Sequence, residues 1–307
     1  MGENCLVCKQ VTKSYGKKEV LKGVDLTIEP GHIYGLIGRN GVGKTTLLSI
    51  LTGQNRADAG EITYNGNPVW ENETALSSFC FSRELSPTIL FGQNTLKAKE
   101  YFKSASCFYP HWDADYAKFL IKEFGIDPNK KICKMNKGMM SLVTITIALA
   151  SGAPITILDE PVAGLDVYMR DRFYALLLEE YARSNRTFIL STHIIEEAAN
   201  VLEEVIILND GAVRLKENTQ DLIDSCLYVN GLDEAVDRAV SGYEQLNCEQ
   251  MGRNKMVCIR LKPGQSFSAE QYRGELTVSA VPLQKIFVYL TRQAGEENGY
   301  ASFNDRT

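Results

Sequence analysis

No excess of basic residues is present: 33 Lys and Arg face 38 Asp and Glu, a formal net charge of -5. Without a domain-wide basic face, general nucleic-acid binding is not expected. A second close cysteine pair is missing too. Of eight cysteines only Cys5 and Cys8 stand near each other, and no histidines at matching spacing complete a zinc set. Ordinary buried thiols in a reducing compartment are the reading. Met1-Gly2-Glu3-Asn4 carries neither the basic segment nor the apolar run of a signal peptide. Residues 142–158 are free of charge but are broken by Ser151-Gly152-Ala153-Pro154, so they read as a buried helix and a buried strand, not a membrane span. The chain is expected to be soluble, with any membrane association supplied by a partner. Its 307 residues suffice for one large domain and a smaller one.

What is present centres on Gly38-Arg39-Asn40-Gly41-Val42-Gly43-Lys44-Thr45-Thr46, a glycine and four free positions before Gly-Lys-Thr. The apolar run Ile33-Tyr34-Gly35-Leu36-Ile37 precedes it. Leu47, Leu48, Ile50 and Leu51 follow on a helix that Gly53 can close. Strand, glycine loop and helix are the context that a phosphate-binding loop requires. Backbone N–H groups must wrap a polyphosphate, and side chains at Gly41 and Gly43 would block that approach. Lys44 would reach the β- and γ-phosphates, and the Thr45 hydroxyl would ligate Mg²⁺. The positive end of the helix faces the anion.

Upstream, residues 5–30 alternate apolar and polar positions as an antiparallel β opening. Tyr15 ends one strand, where packing is the simplest role. Downstream, residues 60–69 read as strand, Asn-Gly turn and strand, and Phe79-Cys80-Phe81 as a buried strand. A helical section then follows, with Tyr116, Phe119, Leu120 and Phe124 at helical spacing and a stop at Gly125 and Pro128. It is expected to separate two halves of a parallel sheet. Asn136-Lys137-Gly138 resembles a guanine-reading motif only until Met139, where that motif needs an aspartate.

Ile155-Thr156-Ile157-Leu158 delivers Asp159 and Glu160 to the carboxyl edge of such a sheet, where ligands sit. Asp159 can hold Mg²⁺ through water, and Glu160 can orient or deprotonate the attacking water. His193 follows the strand Phe188-Ile189-Leu190-Ser191 at the same edge and can hydrogen-bond a γ-phosphate. A hairpin with the turn Asn209-Asp210-Gly211 closes the domain.

In this order the motifs resemble the ATPase subunit of an ATP-binding cassette (ABC) transporter, over roughly residues 5–220. The resemblance implies an α/β fold, a P-loop NTPase of ABC ATPase type with antiparallel β and helical subdomains. The ATPase domain would span 1–222, with the helical subdomain at about 84–150. A small α/β domain and frayed tail would occupy 223–307. It also implies Tyr15 as the adenine-stacking aromatic, Asp159 as the second magnesium-site carboxylate, Glu160 as the catalytic glutamate and His193 as the switch histidine. Ala163-Gly164-Leu165-Asp166 matches the dimer-contact loop, and residues 135–139 the signature that completes a partner's ATP site. Two positions depart from the family. Asn136 stands where the signature has serine, although its amide can still donate. Arg83 and Glu84 stand where a glutamine is usual, and of these only Glu84 could ligate magnesium.

The function implied is ATP hydrolysis, with ATP and Mg²⁺, by a dimer with a second ABC ATPase subunit. Hydrolysis would power export through an integral membrane permease from the cytoplasmic face of the cell membrane. Phe108-Tyr109-Pro110-His111-Trp112-Asp113 resembles the exporter-type section, and His111 and Trp112 carry no chemistry. A low-turnover, nucleotide-gated partner in a heterodimer is the alternative, ahead of a soluble cassette ATPase. After about Ser225, strands are expected near 227–229, 257–261 and 276–281, with a closing helix burying Leu283, Ile286, Phe287 and Leu290. Residues beyond Gln293 are expected to fray.

Overall fold

A computed structural model describes residues 5–83, 96–272 and 274–292. The chain divides into two compact units, one through Lys216 and one from Glu217 on. The first opens with β1 (Leu6–Tyr15) and β2 (Lys18–Ile28), followed by β3 (Ile33–Ile37), α1 (Lys44–Leu51), β4 (Ala59–Tyr64) and β5 (Asn67–Pro68). β1, β2, β4 and β5 form an antiparallel sheet in the order β2-β1-β4-β5. The β4–β5 turn needs positive φ at both Asn65 and Gly66, which is what an Asn-Gly pair supplies.

Then come α2 (Glu73–Leu76), β6 (Phe79–Arg83), α3 (Ala98–Phe108), α4 (Ala114–Glu123), α5 (Lys137–Ala150) and β7 (Ile155–Asp159). α6 (Val167–Ser184), β8 (Thr187–Ser191), α7 (Ile195–Ala198), β9 (Glu204–Asn209) and β10 (Ala212–Asn218) complete the unit. The second sheet runs β10-β9-β3-β8-β7-β6, with β3, β6, β7, β8 and β9 paired in parallel. Parallel strands buried on both faces read as continuous apolar runs, as β3, β7 and β8 do. α1 turns Leu47, Leu48, Ile50 and Leu51 into the core shared by both sheets, where they pack among Leu6, Leu21, Leu36 and Ile157.

The helical section does not split the sheet. β6 and β7, which flank it in sequence, are neighbours in register from Phe79 opposite Ile155 to Arg83 opposite Asp159, so the insertion is a lateral excursion. Its buried face is Ala117, Leu120 and Phe124, whereas Phe119 is 43% exposed and stacks on Tyr116. The turn before α4 lies against the turn after α5. A Cβ on Gly152 would meet the His111 carbonyl at 2.3 Å, and the Asp113 amide donates to the Ala150 carbonyl. This close fit gives His111 a packing role.

Helix α5, uncharged after Lys137, is buried from Met140 to Ala150. Its last carbonyls are met by Arg186, whose Nη2 donates to the Leu149 carbonyl at 2.8 Å. Arg186 also pairs with Glu180 at 2.9 Å, and both side chains are buried. Glu180 is shared, since its other carboxylate oxygen pairs with Arg183 at 2.7 Å.

The second unit consists of α8 (Thr219–Asp224), β11 (Cys226–Leu232), α9 (Asp233–Val240), β12 (Glu244–Met251), β13 (Asn254–Arg260), β14 (Leu276–Ala280) and α10 (Leu283–Leu290). Its antiparallel sheet has the order β12-β13-β11-β14, so β11-α9-β12 is a split β-α-β unit with β13 between the strands. Val229, Val257 and Ile259 face Val236 and Val240 of α9. The alternate residue Tyr228 turns the other way and its hydroxyl meets that of Tyr289 on α10 at 2.9 Å. Two elements escape the sequence pattern. β12 is a polar edge strand without apolar alternation, and α9 is a short helix dense in charge. On α10 the buried residues are Leu283, Ile286 and Tyr289; Phe287 and Leu290 are half-buried.

Arg186→Ala should lower unfolding stability by about 1–3 kcal/mol, read by urea denaturation, because it leaves the buried Leu149 carbonyl without its donor and Glu180 with Arg183 as its remaining guanidinium partner. Asp113 caps α4 by accepting from the Tyr116 amide at 2.8 Å, and that bond, helped by Arg183, holds its carboxyl below the usual value. A depressed carboxyl contributes stability above the unfolded-state value of about 3.9, and the contribution is lost as pH falls through the lower folded value. Asp113→Ala should therefore cost about 1 kcal/mol at pH 7. In paired melts the gap to the parent protein should close in strong acid.

Candidate functional site

Strand register assembles the site. Arg83, Asp159 and Ser191 lie in one row across β6, β7 and β8, and Ser191 is opposite Leu36 of β3. The carboxyl ends of these four parallel strands therefore open on the same edge, with the glycine loop following β3. Gly41 and Gly43 have φ of 76° and 112°, in the region that favours glycine. Space beyond Gly41 is open, while a Cβ on Gly43 would press on Val20 and Leu21. Gly38 is needed for packing, since a Cβ there would meet the Leu208 carbonyl at 2.7 Å.

A cleft of about 430 Å³ is lined by Tyr15, Val20, Asn40, Gly41, Gly43, Lys44, Thr45, Thr46, Asp159 and Glu160. Lys44 is buried and its ammonium donates to the Gly38 carbonyl at 2.7 Å and the Arg39 carbonyl at 3.4 Å. Burial pulls its pKa down, and the nearby carboxylates of Glu160 and Asp159 offset part of that. Tyr15 is 52% exposed at the mouth, and Asn55 donates to its hydroxyl at 2.6 Å. Asn55 was not visible in sequence as part of the site, because nothing local links it to Tyr15.

The Thr45 hydroxyl donates to Asp159 Oδ2 at 2.6 Å. Asp159 Oδ1 is buried without a hydrogen-bond partner among the described residues. An orphaned carboxylate oxygen beside a hydroxyl is a hard-oxygen donor set, so these residues fit Mg²⁺. Glu160, one residue on, takes a φ of 52° and donates its amide to the Ser191 carbonyl at 2.8 Å. That turn aims the side chain at His193, whose Nδ1 lies 2.6 Å from Glu160 Oε2. Glu84 lies outside the described residues. Arg83 is exposed at the end of β6.

Asn136 and Gly138 are not part of this cleft. Asn136 caps α5 by accepting from the Met139 amide at 2.8 Å, which leaves its amide nitrogen facing outward. A Cβ on Gly138 would meet the Gly164 carbonyl at 2.5 Å, and the Ser141 hydroxyl donates to the Ala163 carbonyl. The signature segment is thus seated on loop 163–166 of its own chain. A further cleft of about 550 Å³ has Ile62, Val69 and Trp70 in its walls together with the charged Arg56, Asp58 and Glu61.

A glycine loop feeding a helix, a paired threonine and aspartate, and a glutamate–histidine pair on one parallel-sheet edge define a phosphate-loop nucleotide-binding protein. The family model described as ABC transporter matches residues 21–163. Nod factor export ATP-binding protein I of Burkholderia lata is 30% identical over 230 residues, covering 71% of this chain and 72% of the relative. ABC transporter ATP-binding protein YtrB of Bacillus subtilis is 28% identical, over 70% of this chain and 71% of its own. Spermidine/putrescine import ATP-binding protein PotA of Mesoplasma florum is 30% identical, over 72% and 64%. The ATP-binding cassette MJ0796, solved as a dimer with ADP and Pi, superposes with a TM-score of 0.60 at 25% identity, over 70% of this chain and 98% of its own. The chain belongs to the ABC transporter family as an ATP-binding subunit, and it is an ATPase that uses ATP and Mg²⁺. Cassettes of this family dimerise and work with membrane permeases. Among the described residues no helix is long and apolar enough to cross a membrane.

Lys44→Ala removes a charged donor, worth about 1.5–3 kcal/mol. A fluorescent ATP analogue should bind roughly 10- to 100-fold more weakly in titration, with the fold retained by circular dichroism.

Proposed function

We propose that this chain powers export through a separate permease at the cytoplasmic face of the membrane. In this reading it closes on a second cassette around ATP and reopens on hydrolysis. The observation that carries it is the Glu160–His193 pair, 2.6 Å apart, with Glu160 in one cleft with Lys44, Thr45 and Asp159. Bound Mg²⁺ would neutralise charge on the phosphates from Thr45 and Asp159. Lys44 would exchange its loop carbonyls for phosphate oxygens. Glu160 would accept a proton from the attacking water, and His193, holding the carboxylate through Nδ1, would face the γ-phosphate. Tyr15, steadied by Asn55, would stack on adenine. The remaining loop residues Gly38, Arg39, Asn40, Gly41, Val42, Gly43 and Thr46 would supply the phosphate cradle. Asn136 and Gly138 would meet the partner's nucleotide.

Export is favoured by likeness to the Nod factor export protein, whereas the PotA relatives are named for import. A low-turnover role in a heterodimer is the second reading, supported by Asn136 in place of the signature serine. Because the signature completes the opposite site, that change would weaken the partner's turnover more than this chain's own.

Glu160→Gln keeps the side-chain shape while removing the base. It should bind ATP like the parent and lose at least 100-fold in steady-state hydrolysis. An unchanged rate would assign turnover to the other subunit. Transport direction can be read in vesicles containing the co-purified permease, with ATP added outside or enclosed.

A further inference from the structure

Two contacts of Arg170 connect the loop on which the signature segment sits to the helical turn that follows His193. The start of α5 sits on loop 163–166, through Ser141 on the Ala163 carbonyl and Gly138 against Gly164. Arg170, on the first turns of α6, reaches back to that loop, where its Nε donates to the Leu165 carbonyl at 3.1 Å. Its other arm, Nη1, donates to Glu197 Oε1 at 2.7 Å. Glu197 belongs to α7, the single turn that begins two residues after His193. Both side chains are mostly buried, at 21% and 31% exposure.

Two neighbours underline how much depends on this guanidinium. Glu197 Oε2 and the Tyr174 hydroxyl are buried without hydrogen-bond partners among the described residues. Tyr174 lies close enough to Glu197, Glu160 and Arg170 for all three charges to act on it. α7 has no side-chain N-cap of its own, and four residues cannot hold a helix in isolation. The segment carrying His193 therefore takes its position from tertiary contacts, among them this ion pair.

We propose that Arg170 is a positioning residue that fixes the His193 segment to loop 163–166. Through it, the surface this chain offers to a second cassette and its own Glu160–His193 pair move as one body. Displacement of the loop by a docking subunit pulls the Leu165 carbonyl, and the planar fork of Arg170 passes the displacement to Glu197 and α7. Lysine carries the charge but not the fork, so it can hold Glu197 or Leu165 but not both. This inference rests on the reading of Glu160 and His193 as the hydrolytic pair.

The test compares the parent protein with Arg170→Ala, Arg170→Lys, Glu197→Gln and, as a reference, Glu160→Gln. A fluorescent ATP analogue gives affinity, and steady-state ATPase titrations give kcat and the Hill coefficient. Arg170→Ala and Glu197→Gln should keep the analogue's Kd within about threefold. They should lose tenfold or more in kcat, with the Hill coefficient falling towards one. Arg170→Lys should recover part of kcat. If Arg170→Ala fails to fold, the near-isosteric Glu197→Gln decides alone. Retained kcat and Hill coefficient in these variants, alongside an inactive Glu160→Gln, would overturn the role of Arg170. Full activity in Glu160→Gln would instead overturn the reading of the pair.

Discussion

The hydrogen bond from the Thr45 hydroxyl to Asp159 joins two parts of the fold far apart in sequence. One is the first turn of the helix after the glycine loop; the other is the last residue of a strand two places across the sheet. The bond can form only if β3, β8 and β7 are parallel and in one register, so that their carboxyl ends finish level. Once they do, Glu160 arrives beside Lys44, and His193 joins it through the contact with the Glu160 carboxylate. The antiparallel sheet adds Tyr15 at the rim, and the core beneath α1 keeps both sheets at a fixed spacing.

Local chemistry made much of this legible. Gly41, Gly43, Lys44 and Thr45 are bound together by loop geometry within a few residues, and Asp159-Glu160 by the end of one apolar strand. The expectation for the helical section failed at the sheet, because a sequence does not state that strands on either side of an insertion are neighbours. Phe119 misled for a related reason: spacing identifies a stripe, but here Ala117 and Leu120 define the buried side and Phe119 rests on Tyr116 instead. Arg186, Asn55 and Arg170 were invisible as functional or structural anchors, since each acts on a backbone or side chain far away in sequence.

The second unit taught the same lesson in reverse. Its valine core is readable from β11 and β13, yet the polar edge strand β12 hydrogen-bonds along most of its length with little apolar signal of its own. Edge strands are stabilised by the neighbour they pair with, so their own residues are free to be polar.

The backbone of Glu160 sits at a φ of 52°, a conformation that costs a residue of this type on the order of 1 kcal/mol or more. Glycine would take it without strain, and asparagine more readily than glutamate. Selection for heat resistance alone would therefore drive position 160 away from glutamate, towards residues that leave the chain sturdier and silent. Any thermostabilisation of this cassette has to be screened on turnover as well as melting, because here the two objectives pull a single residue in opposite directions.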